Sequence, residues 1–151
     1  MKKLLYYGVS ALLILFCLIG CGKSNIQEKK YISKDDAQKI ISNYLNALSE
    51  SDIDKIKKYS TNEQQKSFNE DILNVLKNDL KFIKLIKCEV REDKNGEDKN
   101  RALVDTEVEI ICSDDFIAVG DWMPGKTVSK KTFELLKVNN EWKVNGWGVY
   151  P

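Results

Sequence analysis

Near residue 82 the spacing of apolar residues changes from steps of three and four to steps of two. Ahead of it, Ala37, Ile40, Ile41, Tyr44, Leu45 and Leu48 mark one stripe of an amphipathic helix. Beyond it, Phe82, Ile86, Cys88 and Val90 share one parity, with Lys84 the exception, and Lys87, Glu89 and Arg91 share the other. Helices followed by a run of long strands imply an α+β domain, with the helices packed on one face of an antiparallel meander sheet.

Helix starts are marked by side-chain oxygens. Ser33 precedes Asp35 and Asp36, placing a hydroxyl cap and acids where the first backbone N–H groups are exposed. Ser51-Asp52 caps a short second helix through Ile53, Ile56 and Tyr59. Thr61 with Gln64 fits a capping box, and Phe68, Ile72, Val75, Leu76 and Leu80 predict a third helix ending near Leu80.

The strands are bounded by turn signals. Asn95-Gly96 centres a hairpin whose second arm alternates Val104, Thr106, Val108, Ile110 and Cys112 with Asp105, Glu107, Glu109 and Ile111. The acidic set reads as the solvated face. Keeping the apolar faces together places Cys88 opposite Val104, Ile86 opposite Thr106, Phe82 opposite Ile110 and Leu80 opposite Cys112. Cys88 and Cys112 then lie about eight residues apart along the sheet at ~3.3 Å each, beyond the ~7 Å Cα limit of a disulfide. Two buried thiols are expected, with a bulge or another pairing as the route back to a disulfide. Phe116 to Val119 reads as a strand extension, Met123-Pro124-Gly125 as a turn and Val128 to Val138 as the third long strand. Asn139-Asn140 makes the next turn. Trp142, Val144, Trp147 and Val149 form the last strand, with a bulge at Asn145-Gly146.

The N-terminus has a different character. Lys2 and Lys3 precede an apolar run that ends at Leu18-Ile19-Gly20-Cys21, and the polar residues Gly22-Lys23-Ser24-Asn25 follow. This order resembles the lipobox of bacterial lipoproteins, which implies a signal peptide over 1–20, lipidation of Cys21, a tether over 21–32 and a folded domain over 33–151. The competing reading is an uncleaved span, since the run of about 18 residues approaches the ~20 a bilayer needs. Either way the domain is expected outside the membrane, the lipobox giving a lipid anchor in the cell membrane with the domain on its extracytoplasmic side. The 151 residues carry 24 Lys and Arg against 23 Asp and Glu. That balance gives no support to a nucleic-acid partner. No histidine is present, which removes the commonest general acid–base and the commonest zinc ligand. No metal and no cofactor is expected. Asp114, Asp115 and Asp121 lack the ordered spacing of a calcium loop and read as solvated.

Three stretches carry a further resemblance. They are Tyr44-Leu45-Asn46-Ala47-Leu48-Ser49 with the Asp52 to Ile56 helix after it, the long hairpin, and Asn139-Asn140-Glu141-Trp142-Lys143-Val144. Together they resemble the nuclear transport factor 2-like superfamily, also called cystatin-like or ketosteroid isomerase-like, and within it the small bacterial lipoproteins. The resemblance implies a sheet that wraps the first helix and leaves a cone-shaped pocket. Tyr44 is the candidate for its interior. Phe116, Trp122 and Met123 are candidates for its mouth, as an apolar lid or a contact surface. The Lys-rich stretch Val128 to Thr132 reads as a protected sheet surface. The expected function is non-catalytic binding of a small apolar ligand or an envelope protein. The alternatives are an isomerase- or hydratase-like enzyme using Tyr44 with a buried carboxylate, and a self-protection or inhibitor lipoprotein.

Overall fold

The computed structural model describes residues 31–91, 98–118 and 120–149. The segment with Cys21, the tether up to residue 30 and the turn at Asn95-Gly96 lie outside the described residues. Helices α1 (Lys34–Ser49), α2 (Ile53–Tyr59), α3 (Asn62–Gln65) and α4 (Glu70–Asn78) precede strands β1 (Leu80–Val90), β2 (Arg101–Cys112), β3 (Gly125–Val138) and β4 (Glu141–Val149). The strands form one antiparallel sheet in the order β1-β2-β3-β4. The fold is the expected α+β arrangement of helices on a curved meander. No helix among the described residues is long and apolar enough to cross a membrane.

The caps stand where the sequence places them. Ser33 Oγ accepts the Asp36 N–H at 3.1 Å, Asp52 Oδ1 accepts that of Lys55 at 3.0 Å, and Thr61 Oγ1 accepts that of Gln64 at 3.2 Å. The third helix differs from expectation: it is two helices. After Gln65 the Ser67 hydroxyl donates to the Gln64 carbonyl at 2.7 Å, a local bond that competes with the helical ladder. Asn69 then caps α4 by accepting the Ile72 N–H at 2.9 Å. Leu80 belongs to β1 rather than to the helix face.

Helix α1 lies against the sheet and buries Ala37, Ile41, Tyr44, Leu45 and Leu48. They meet the inward positions of the strands: Val104, Val108 and Ile110 of β2, Phe133 and Leu135 of β3, and Val144 of β4. Each such large side chain contributes roughly 1.5–3 kcal/mol by leaving water. Ile32 joins this core, so packing begins just before the Ser33 cap.

Register on β1 corrects the sequence reading. Leu80 does pair with Cys112, but Cys88 pairs with Thr106, and it is Val90 that stands opposite Val104. Register shifts between Leu80 and Phe82 and between Leu85 and Lys87 absorb the difference, and each adds a residue to β1. A bulge re-aims the side chains beyond it. Phe82 and Ile86 therefore face outward, 39% and 48% exposed, while Ile83 is fully buried. Ser49, at the end of α1, holds this shifted strand. Its hydroxyl accepts the Ile83 N–H at 2.7 Å and donates to the Ile83 carbonyl at 3.2 Å. Cys88 and Cys112 are buried free thiols.

Phe116 to Ala118 lies outside any strand, against the expected extension. The Phe116 N–H instead closes a turn on the Ser113 carbonyl at 3.1 Å. The Asn139-Asn140 turn has φ of 51° and 66°, the left-handed pair of a tight hairpin whose twist matches the strands. The bulge at Asn145 is present, between the pairs Leu135 with Val144 and Glu134 with Gly146.

Candidate ligand pocket

Between α1, α4 and the sheet lies a cavity of about 490 Å³, within the range of roughly 300–1,000 Å³ usual for small-molecule sites. One wall is helical. Leu48 comes from α1, Ile72, Val75 and Leu76 from α4, and Phe68 from the turn before it. The break after α3 lets that turn reach the cavity. The other wall holds Lys131 of β3 and Trp147 of β4. The loop between β2 and β3 closes over it with Phe116 and Trp122.

Tyr44 stands at the inner end, fully buried. Its hydroxyl accepts a hydrogen bond from Gln64 Nε2 at 3.1 Å, and the Thr61 N–H that a capping box would give to the Gln64 side chain goes to the Val144 carbonyl at 2.9 Å instead. Burial pushes the phenol up to about 12, with the Gln64 bond pulling slightly the other way. A row of rings leads outward from it. Tyr44 meets Phe133 edge-on at 6.4 Å, Phe133 stacks on Trp147 at 5.1 Å, and Trp147 meets Trp122 edge-on at 6.1 Å.

Of the sequence candidates, Tyr44, Phe116 and Trp122 line the cavity. Met123 does not: it is 47% exposed on the loop. The main omission was Lys131. The Lys-rich stretch is not a uniform outer surface, because Ser129 and Lys131 point inward, Lys131 only 4% exposed. Strand parity carried the signal, since both share the facing of Phe133 and Leu135, but the charge pointed the other way.

Lys131 Nζ meets Asp121 Oδ1 at 2.5 Å and lies 5.5 Å from the centre of the Trp147 ring. The Ser129 hydroxyl also donates to Asp121. Asp121 is therefore not a solvated loop acid. Partial burial raises its pKa, and the bonds from Lys131 and Ser129 with the lysine charge outweigh this, leaving the carboxyl below its ordinary value. Glu109 is a second correction. It is 8% exposed, not solvated, and sits between Lys126 at 2.5 Å and Lys84 at 3.1 Å. Bonds from Lys126 and then Lys84 hold it below the usual carboxylate range.

This arrangement is better suited to holding a molecule than to moving a proton. Tyr44 is a weak acid paired with an amide, and Asp121 is a weak base committed to a cation. Among the described residues no three His, Cys, Asp or Glu side chains gather in a way that would hold a metal ion.

No family model matches the sequence, and no curated protein matches it. Solved structures match at the level of the fold. The intermembrane-space region of the chloroplast protein ARC6 superposes with a TM-score of 0.56 at 17% identity, over 78% of this chain and 96% of that one. A nuclear transport factor 2-like superfamily protein from Salmonella enterica gives 0.55 at 12% identity, over 78% of this chain and 89% of its own. A nuclear transport factor 2-like protein of unknown function from Shewanella oneidensis gives 0.50 at 13%, over 76% and 95%.

Proposed function

We propose that this chain, whose domain has the nuclear transport factor 2-like fold, is a binding protein that takes a small, largely apolar molecule into its cavity and does no chemistry on it. A lipid on Cys21 holds the domain at the extracytoplasmic face of the membrane. The observation that carries the binding reading is the 490 Å³ cavity itself, walled mainly by aliphatic and aromatic side chains, with Gln64, Ser67, Asp71 and Lys131 as its polar and charged members. The isomerase- or hydratase-like alternative has less support, because the Tyr44 hydroxyl meets Gln64 where that chemistry needs a carboxylate. The anchor rests on the sequence pattern ending at Gly20-Cys21.

Among the described residues the buried core runs from Ile32 to Val144, and a chain beginning at Gly22 keeps all of it. Titrating that chain with anilinonaphthalene sulfonate, and following the fluorescence of the pocket tryptophans, tests the cavity. Saturable binding is expected in the wild type. Val75→Trp fills the cavity from α4 and should lower affinity at least tenfold while leaving the circular dichroism unchanged. Equal binding by both proteins refutes the cavity reading. For the anchor, Cys21→Ala in the full chain is expected to block trimming and lipid labelling. A Cys21→Ala protein that is still trimmed and still held in the membrane refutes it.

A further inference from the structure

The two partners of the Lys131–Asp121 pair are unequally placed. The Lys131 side chain is 5% exposed and projects from the middle of a strand at the cavity wall, so it cannot turn out into bulk water without moving the sheet. The Asp121 side chain is 28% exposed and sits on the loop between β2 and β3. It can turn outward and be hydrated without moving the sheet. A buried ammonium needs an anionic partner, because removing one member of such a pair leaves an uncompensated charge away from water. Lys131 must keep a counter-ion, but Asp121 need not be that ion.

We propose that the cavity selects amphiphiles with a single carboxylate head, which replaces Asp121 on Lys131 while the aliphatic tail packs along Leu48, Val75 and Leu76. This rests on the reading of the cavity as a ligand site and adds the class of ligand. The exchange is neutral in charge: one carboxylate enters the wall and another returns to water. The Trp147 ring stays beside the ammonium throughout and keeps part of its electrostatic environment constant. An uncharged amphiphile has nothing to offer Lys131. It leaves the ion pair in place and gains only apolar contact. An amine-headed amphiphile brings a second cation beside Lys131, whose partner Asp121 is already engaged, while the other carboxylate of the lining, Asp71, stands exposed on α4.

The exchange also acts on the loop. Asp121 fastens it to Ser129 and Lys131 of β3. The adjacent Trp122 leans edge-on against Trp147 at 6.1 Å. When a ligand carboxylate takes Lys131, those fastenings are lost and the Trp122–Trp147 contact loosens. Ligand binding is therefore reported by the loop.

The test uses the chain from Gly22 with three probes of one tail length: dodecanoate, dodecanol and dodecylamine, each below its micelle-forming concentration. Calorimetry and tryptophan fluorescence report binding. Dodecanoate is expected to bind at least tenfold more tightly than dodecanol, and dodecylamine most weakly. Lys131→Met keeps the length and apolar stem of the side chain, and it should bring dodecanoate down to the level of dodecanol. Asp121→Asn removes the competing carboxylate and should tighten dodecanoate binding severalfold, leaving dodecanol unchanged. Limited proteolysis within 113–123 should speed up when dodecanoate is added to the wild type, but not when dodecanol is. Equal binding of dodecanoate and dodecanol, or a preference that survives Lys131→Met, overturns the proposal while leaving the cavity reading intact. Failure of all three probes to bind overturns both.

Discussion

Ser49 offers a direct measurement of what ties the helices to the sheet. Its hydroxyl both accepts from the Ile83 N–H at 2.7 Å and donates to the Ile83 carbonyl at 3.2 Å. β1 is the edge strand of the sheet, so among the described residues these backbone groups have no second strand to bond on that side. Ser49→Ala deletes both bonds and leaves a donor and an acceptor part-buried beneath α1. At about 1 kcal/mol for each bond, the expected loss is ~2 kcal/mol. For a domain of about 120 residues, between the size classes where each kcal/mol moves the midpoint by roughly 4–8 °C and roughly 2–4 °C, Tm should fall by about 8 °C. Ser51→Ala serves as the scale, because Ser51 Oγ makes one such bond, to the Leu76 carbonyl at 2.9 Å, and should cost about half as much. Urea unfolding gives the two free energies, and an unchanged slope shows that the unfolded state is unaltered. Amide exchange at Ile83 should accelerate in Ser49→Ala and stay unchanged in Ser51→Ala. If Ser49→Ala costs no more than Ser51→Ala, or if Ile83 exchange does not change, the clasp is not what holds β1.

Acid should weaken the domain. Asp121, Glu109 and Glu134 all titrate below their ordinary values when folded, so they bind protons more readily when unfolded. Their stabilisation is complete above the unfolded carboxylate range near pH 4 and is lost as pH falls through the folded values. Urea midpoints measured from pH 6 to pH 2.5 should fall across that window, and less steeply in Asp121→Asn; identical profiles would show that Asp121 contributes nothing. The two thiols give a separate check on register. Cys88 pairs with Thr106, and Cys112 lies six residues further along β2, about 20 Å away. Burial also raises the pKa of both thiols. Alkylation should therefore be slow in the native protein and fast in denaturant. An intact mass that rises by about two hydrogens on reduction would contradict the pairing of β1 with β2.

Local chemistry was legible and long-range adjustment was not. Ser33, Asp52 and Thr61 cap helices because an oxygen at the right step from an exposed N–H acts within one turn of chain. The change of period near Phe82, the Asn139-Asn140 turn and the bulge at Asn145 are equally local. The bulges at Lys81 and Ile86 are different. They depend on how β1 is drawn onto α1 at Ser49, a residue 34 positions from Ile83. Alternation alone therefore placed Phe82 and Ile86 on the wrong face. The cavity was half legible. Tyr44, Phe116 and Trp122 stand out as apolar bodies in a helix stripe and a loop. Lys131 did not, because a charge at an inward position makes sense only once its partner Asp121 is seen beside it.

The loop over the cavity leaves the sheet at Cys112 and rejoins it at Pro124, and a β-bridge joins those two residues. A segment that departs and returns at one point can change length or composition without shifting any strand against its neighbour. Of the cavity wall, Phe116 and Trp122 belong to this exchangeable part, while Lys131 and Trp147 belong to the sheet; Asp121, the partner of Lys131, also lies on the loop. The loop thus supplies part of the cavity wall and the counter-ion, while the sheet supplies the lysine they meet. Grafting a different 113–123 segment that keeps an acid at position 121 is a route to altered ligand preference that leaves the sheet register and the Lys131 ion pair in place.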